Sequence, residues 1–372
     1  MEFAYSRRLA VLTDWMKREK VDAAVIHDLE GRRTASLRYL CGMPGDAALI
    51  VFANGGNVLI PWDLHMARET ARAEEMIPQS YFNRDVERGI TETILNNGCG
   101  SGSTVEVSSA TPYPVFRSLE SKLPSCEVVS RYNGIDEFLL KERMIKDETE
   151  IAVYRNACAQ TNAVIRGIED NWASFDTEAD IALFIEKTGR GLGAEGTGFE
   201  TIAAGPDRSF GIHAFPSYTG AKLKDSGLTI IDFGLVFSGY TTDVTVTAAS
   251  GKLSREQEKR LSLVEEAYAL AAEAAAPGKN TKEMAAEVTD HFASGGYSMP
   301  HSLGHGIGLD AHEYPFIKDN IAEGTVLKPG MIITIEPGLY DPGAGGVRLE
   351  NDFLITESGA ERLTSSRIIR PE

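Results

Sequence analysis

Two stretches of this chain each read as a β-hairpin with one carboxylate on either arm, and that pattern limits what it can fold into. In LTIIDFGLVFSGYTTDVTVT (228–247), two β-type runs flank a turn at Phe237-Ser238, where Gly239 can supply an unusual backbone angle. Pairing about that turn sets Asp232 opposite Asp243, with their Cβ atoms ~5 Å apart. Like charges so placed repel unless a cation or a proton joins them. Taken alone, the pair has a bland reading as well: one Asp caps a turn and the other faces water. The second stretch, MIITIEPGLYDPGAGGVRLENDFLIT (331–356), repeats the arrangement around a DPGAGG loop. Centred on Gly343, it sets Glu336 opposite Glu350. Four buried carboxylates without compensating charge would be strongly unfavourable or forced to protonate. Bound metal explains both pairs at once.

Histidine placement agrees. His301, His305 and His312 lie in HSLGHGIGLDAHEYP and His213 lies upstream, whereas His27, His65 and His291 sit in unremarkable contexts. Glycines around His305 let backbone approach a crowded site. One neutral imidazole with four carboxylates is an oxygen-rich set suited to two divalent first-row ions, Mn²⁺, Co²⁺, Fe²⁺ or Zn²⁺. A dication pair acidifies a water and polarises a carbonyl, which points to metal-assisted hydrolysis. A calcium-type structural site is the competitor, and it would need neither His305 nor the histidines beside it.

The remainder of the chain supplies the frame. Residues 5–19 carry helical periodicity and run into a strand, VDAAVIH. GDAALIVFANGGNVLIP reads as a hairpin turned at Asn54-Gly55-Gly56, followed by a helix near 63–75. Strands and helices alternate over the first ~130 residues, so an α/β domain with a partly parallel sheet is expected over 1–135. NNGCGSGS (96–103) lacks the ending of a phosphate loop and reads as a connection. A second domain, 140–372, is expected to be α+β, with helices covering a mainly antiparallel sheet. Its helices are KERMIKDETEIAVYRNACAQTNAVIRGI, 176–191, 253–276 (ended by Pro277-Gly278) and 280–296. DTEADIA and NTKEMAA open two long/short helix pairs alike, which suggests an internal duplication. A net charge of −17 argues against nucleic-acid and anionic-membrane partners. No run approaches a membrane span, and the N-terminal residues do not read as a signal peptide. Cys41, Cys99, Cys126 and Cys158 match no thiolate metal motif, so reduced thiols in a cytoplasmic protein are expected.

In order and spacing, IDFG, GYTTDVT, GHGIGLDAHE, TIEPGLY and GVRLEND closely resemble the pita-bread metallopeptidases. The N-terminal domain makes the chain look like the Xaa-Pro dipeptidases (prolidases) and Xaa-Pro aminopeptidases of that group, and FETIAAGPDRSFGIHAFPS (199–217) fits as well. The resemblance implies a creatinase/prolidase-like α/β N-terminal domain and a pita-bread α+β catalytic domain. It implies Asp232, Asp243, His305, Glu336 and Glu350 as metal ligands, with Asp243 and Glu350 bridging and Glu336 also exchanging protons. His213 and His312 would act on the scissile carbonyl, and His301 and Arg348 would line the pocket on the proline side, although Arg348 could instead orient Glu350. The implied substrate is a peptide with proline at its second position, with Mn²⁺ or Co²⁺ as the leading cofactor and a homodimer as the assembly. Chain compactness leans towards a dipeptidase over an aminopeptidase. Val246 departs from the pattern, since family members often have Arg there. Two other functions fit less well: a metal-independent C–N hydrolase resembling creatinase or ectoine hydrolase, whose members have lost ligands, and a non-catalytic pita-bread binding module.

Overall fold

The structure, a computed structural model, describes residues 3–29 and 31–371. It divides into a unit ending at Glu142 and one beginning at Arg143.

The first unit is built on a six-stranded mixed sheet. Its strands are β1 (Ala23–His27), β2 (Ala47–Phe52), β3 (Asn57–Pro61), β4 (Glu75–Met76), β5 (Thr104–Val107) and β6 (Glu127–Val129), in the order β4-β3-β2-β1-β5-β6. β1 to β3 are wholly buried, which is why they read as continuous apolar runs rather than alternating ones. β2 and β3 form the expected hairpin about Asn54-Gly55-Gly56, while β5 and β6 run parallel to β1. Helices α1 (Tyr5–Glu19), α2 (Ala35–Cys41), α3 (Leu64–Thr70), α4 (Val86–Asn96), α5 (Tyr113–Lys122) and α6 (Ile135–Glu142) complete it. α3 stops short of the expected 75 because residues 75–76 pair beside β3 as β4.

The expected domain limits at 135 and 140 both fall within α6, and the units divide at its end. KER therefore does not begin the next helix. α7 (Glu148–Asp170) starts where Asp147 and Glu150 form a reciprocal capping box. α8 (Glu178–Gly191), α9 (Arg255–Ala274) and α10 (Thr281–Ser294) follow, capped by Thr177, Ser254 and Asn280. The two helix pairs repeat one another in detail, since the cap residues Thr177 and Asn280 each make an isolated antiparallel bridge, to Lys222 and Val326.

Between these helices lie β7 (Gly196–Thr197), β8 (Ile202–Ala204), β9 (Gly227–Phe233), β10 (Leu235–Phe237), β11 (Tyr240–Thr241) and β12 (Val244–Ser250). After α10 come β13 (Gly304–Gly306), β14 (Glu313–Ile317), β15 (Ile332–Ile335), β16 (Gly338–Asp341), β17 (Gly345–Arg348), β18 (Asn351–Thr356) and β19 (Gly359–Arg362). They form antiparallel sheets, β12-β9-β8 and β14-β13-β15-β18-β19, beside the smaller β11-β10-β7 and β16-β17. A bridge between Thr245 and Glu350 joins the two larger sheets. One side of this layer is covered by α7 and α8 over Ile231, Phe233, Val244 and Val246. Val246 is 1% exposed within that cluster, so the departure from the family pattern affects packing behind the sheet. α9 and α10 cover the second sheet through Leu261, Val264, Met284 and Phe292 against Ile333, Ile335 and Phe353.

Candidate metal centre

The first hairpin turns one residue later than the sequence suggests. Ser238 and Gly239 take φ values of 50° and 86°, so the tight two-residue turn is made there. The register follows: Asp232 pairs with Thr245, and Asp243 is displaced two positions along the strand. A two-residue slip preserves the face on which a side chain stands, so the two carboxylates still converge. The second hairpin keeps the expected register. Ile335 pairs with Asn351 and Gly338 with Arg348, which places Glu336 across from Glu350 between them. Because Thr245 is bridged to Glu350, residues 232, 245, 350 and 336 form one row across neighbouring strands.

Three overlapping groups result, each with its donor atoms within 4.8 Å of one another: Asp232, Asp243 and Glu350; His305, Glu336 and Glu350; and Asp243, His305 and His312. All five expected ligands are thus brought together, and His312 stands among them. His305 Nδ1 lies 3.0 Å from the Gly306 carbonyl, to which it donates. Its Nε2 therefore carries the lone pair, and it faces Glu336 Oε1 at 3.5 Å and Asp243 Oδ2 at 3.8 Å. Gly304 lets β13 lie this close, because a Cβ there would collide with the Thr334 carbonyl.

Electrostatics describe a site short of positive charge. Burial, followed by the charges of Glu350, Asp232, Asp352 and Glu336, raises the Asp243 carboxyl well above its ordinary range. Glu350 is raised too, by burial and then by Glu336 and Asp232, and burial pushes Glu336 up to about 8. The imidazoles shift the other way: burial takes His305 down to about 3 and His301 to about 4, and lowers His312. Neutral imidazole and strained carboxylates are what a hard dication relieves. Asp232 Oδ1 points to the same fit, being buried with no hydrogen-bond partner among the described residues.

Arg348 lies where either reading of it would have it, on the cavity wall beside a ligand carboxylate. Its guanidinium donates to Asp232 Oδ2 (2.6 Å), Tyr340 Oη (2.7 Å), the Ile212 carbonyl (3.1 Å) and, from Nε, Thr245 Oγ1 (2.9 Å). Its fork therefore orients Asp232, and Thr245 in turn donates to Glu350 Oε2 at 2.8 Å. His301 is locked by the Ser302 carbonyl at Nδ1 (2.8 Å) and Tyr340 Oη at Nε2 (2.9 Å), which leaves its ring for contact with a ligand. His213 is exposed on the cavity wall near His301 and His312. Sequence reasoning passed over Thr245, Tyr340 and Asp352. Asp352 is fully buried and accepts the Asp243 backbone N–H at 3.3 Å. Its signal was available, because on a strand it shares the face of Glu350 two residues before it.

The five expected ligands, the three further histidines and Arg348 line one cavity of about 400 Å³, with Phe199, Ile202, Ile212, Phe215 and Phe316 forming apolar wall. Such a volume suits a small organic ligand or short peptide.

The fold and this acid-rich centre define a hydrolase of the metallopeptidase class. Residues 152–357 match metallopeptidase family M24 and residues 8–145 match the creatinase/prolidase N-terminal domain, and the chain belongs to that family. It is 31% identical to the Xaa-Pro dipeptidase of Pyrococcus furiosus over 364 residues, 96% of this chain and 98% of the relative. Among solved structures it resembles the prolidase of Pyrococcus horikoshii (27% identity, TM-score 0.84, 97% of this chain and 99% of that one). The X-Pro aminopeptidase of Thermotoga maritima matches with the same identity, score and coverage.

Proposed function

We propose that this chain cleaves the bond between an N-terminal residue and a following proline, and that Asp232, Asp243, His305, Glu336 and Glu350 would hold the two divalent cations this requires, Asp243 and Glu350 being the residues placed to serve both. The observation that carries this reading is the convergence of four carboxylates and one lone-pair-bearing imidazole nitrogen on the wall of a peptide-sized cavity. When bound, such a cation pair acidifies water near neutral pH and polarises the scissile carbonyl. The protein's own groups do the rest. Glu336, ionised beside the cations, takes the proton of the attacking water and delivers it to the departing proline nitrogen. His312 and His213 donate N–H to the oxygen on which negative charge develops. The His301 ring packs against proline, and Arg348 keeps Asp232 aimed. An X-Pro bond lacks the amide N–H that ordinary peptidases grip, so a site that acts on the carbonyl side suits it.

The oxygen-rich set favours Mn²⁺ or Co²⁺ over Zn²⁺ or Fe²⁺. The proposal includes a homodimer in the cytoplasm. The free thiols of all four cysteines fit a reducing compartment, and gel filtration tests the assembly. Chelation should abolish Xaa-Pro cleavage and Mn²⁺ or Co²⁺ should restore it. Sustained turnover by a verified metal-free preparation would overturn the proposal, as would turnover of creatine-like or cyclic amidine substrates in place of peptides.

A further inference from the structure

A small peptide that leaves this site carries a free carboxylate, and the cavity wall offers it little positive charge. The Arg348 guanidinium is committed to Asp232, Tyr340, Thr245 and the Ile212 carbonyl. His301 is fixed between the Ser302 carbonyl and Tyr340 Oη, and His305 faces Glu336 and Asp243. At the rim the pattern changes. Phe316, on β14, pairs with His305 across the ladder, so its ring stands one strand away from the ligand imidazole. It lines the cavity and is 36% exposed. Two residues on, the Lys318 ammonium lies 5.3 Å from the centre of that ring. No carboxylate pairs with Lys318 among the described residues, and its neighbour Asp319 is already bonded by Thr289. A cation resting on an aromatic face at a partly exposed position is held weakly, so it is free to exchange that contact for an anion.

We infer that Lys318 is a specificity-determining residue that meets the free C-terminal carboxylate of a short peptide across the ring of Phe316. This rests on the peptidase reading above and adds the feature by which the site measures substrate length. By bond lengths alone, the carboxylate of an Xaa-Pro dipeptide lies about 4 Å from the scissile carbon, and one further residue adds about 3.5 Å. The Lys318 ammonium lies over the Phe316 ring on a long, flexible stem just past the end of β14, so the carboxylate it meets belongs to a dipeptide or a tripeptide.

The test uses the metal-loaded full chain with four substrates: Ala-Pro, Ala-Pro-amide, Ala-Pro-Ala and Ala-Pro-Ala-amide. At one length the acid should exceed its amide in kcat/KM by roughly three- to tenfold, chiefly through KM, and that length names the substrate class. Lys318→Met should erase the difference while leaving amide turnover within about twofold, and Lys318→Arg should keep it. Equal turnover of acid and amide at both lengths, or a preference that survives Lys318→Met, would overturn the inference and leave the peptidase reading standing. Failure to cleave any of the four would overturn both.

Discussion

Removing the metal should make the stability of this protein fall as pH rises through neutrality. Glu336 and Asp352 both have carboxyls raised to about 8 by burial, against ordinary values of 4.5 and 3.8. Between those limits the folded chain holds protons that the unfolded chain has released, so each pH unit costs up to about 1.4 kcal/mol per group. Asp243 and Glu350 are raised as well and act in the same direction. The buried histidines oppose this at lower pH. His301 and His305, lowered to about 4 and about 3, add stability as pH rises towards 6.5 and nothing further once the unfolded imidazoles are neutral. Above pH 6.5 nothing offsets the carboxylates, so metal-free stability should fall most steeply there. From pH 6.5 to 7.5, Glu336 and Asp352 together should cost about 2 kcal/mol, a fall of roughly 4–8 °C in Tm for a unit of this size. Bound dications keep the Glu336, Asp243 and Glu350 carboxylates ionised in the folded state and remove most of the slope. Thermal melts of chelated and Mn²⁺-loaded protein at closely spaced pH values make the comparison. A metal-free Tm that is flat or rising above pH 6.5 would refute the electrostatic description of the site.

Two substitutions separate chemistry from architecture. His312→Gln should lower kcat by roughly 10²–10³-fold while metal content, read by elemental analysis, stays at the wild-type value. Gly304→Ala should press a methyl group against the Thr334 carbonyl and part β13 from β15, costing on the order of 1–3 kcal/mol in melts and weakening metal binding through a displaced His305.

The ligand-bearing hairpins were legible because strand alternation and the Gly343 loop fix which side chains face one another, and Glu336 and Glu350 stand across from each other as read. The first hairpin was read one turn residue early. Phe237-Ser238 and Ser238-Gly239 differ only in which residues enter the left-handed region, and composition alone did not choose between them. The error left the site intact because the resulting slip is even. The start of α7 was missed for a local reason: KER continues α6 by propensity, while the capping box at Asp147 decides where the next helix begins. That Arg348 orients a ligand was one of two readings of the sequence, but which ligand it serves lay outside sequence reach. That it serves Asp232 on a strand more than a hundred residues away depends on how the two larger sheets join at Thr245 and Glu350, a contact no local pattern encodes.

Counting the metal that the purified chain takes up tests the central claim most directly. Titration of metal-stripped protein with Mn²⁺, followed calorimetrically beside a Glu350→Gln variant, should show two cations per chain in the wild type and loss of at least one in the variant. Saturation of the wild type at a single cation, or an unchanged stoichiometry in the variant, would contradict the paired-ion centre on which the proposed hydrolysis depends.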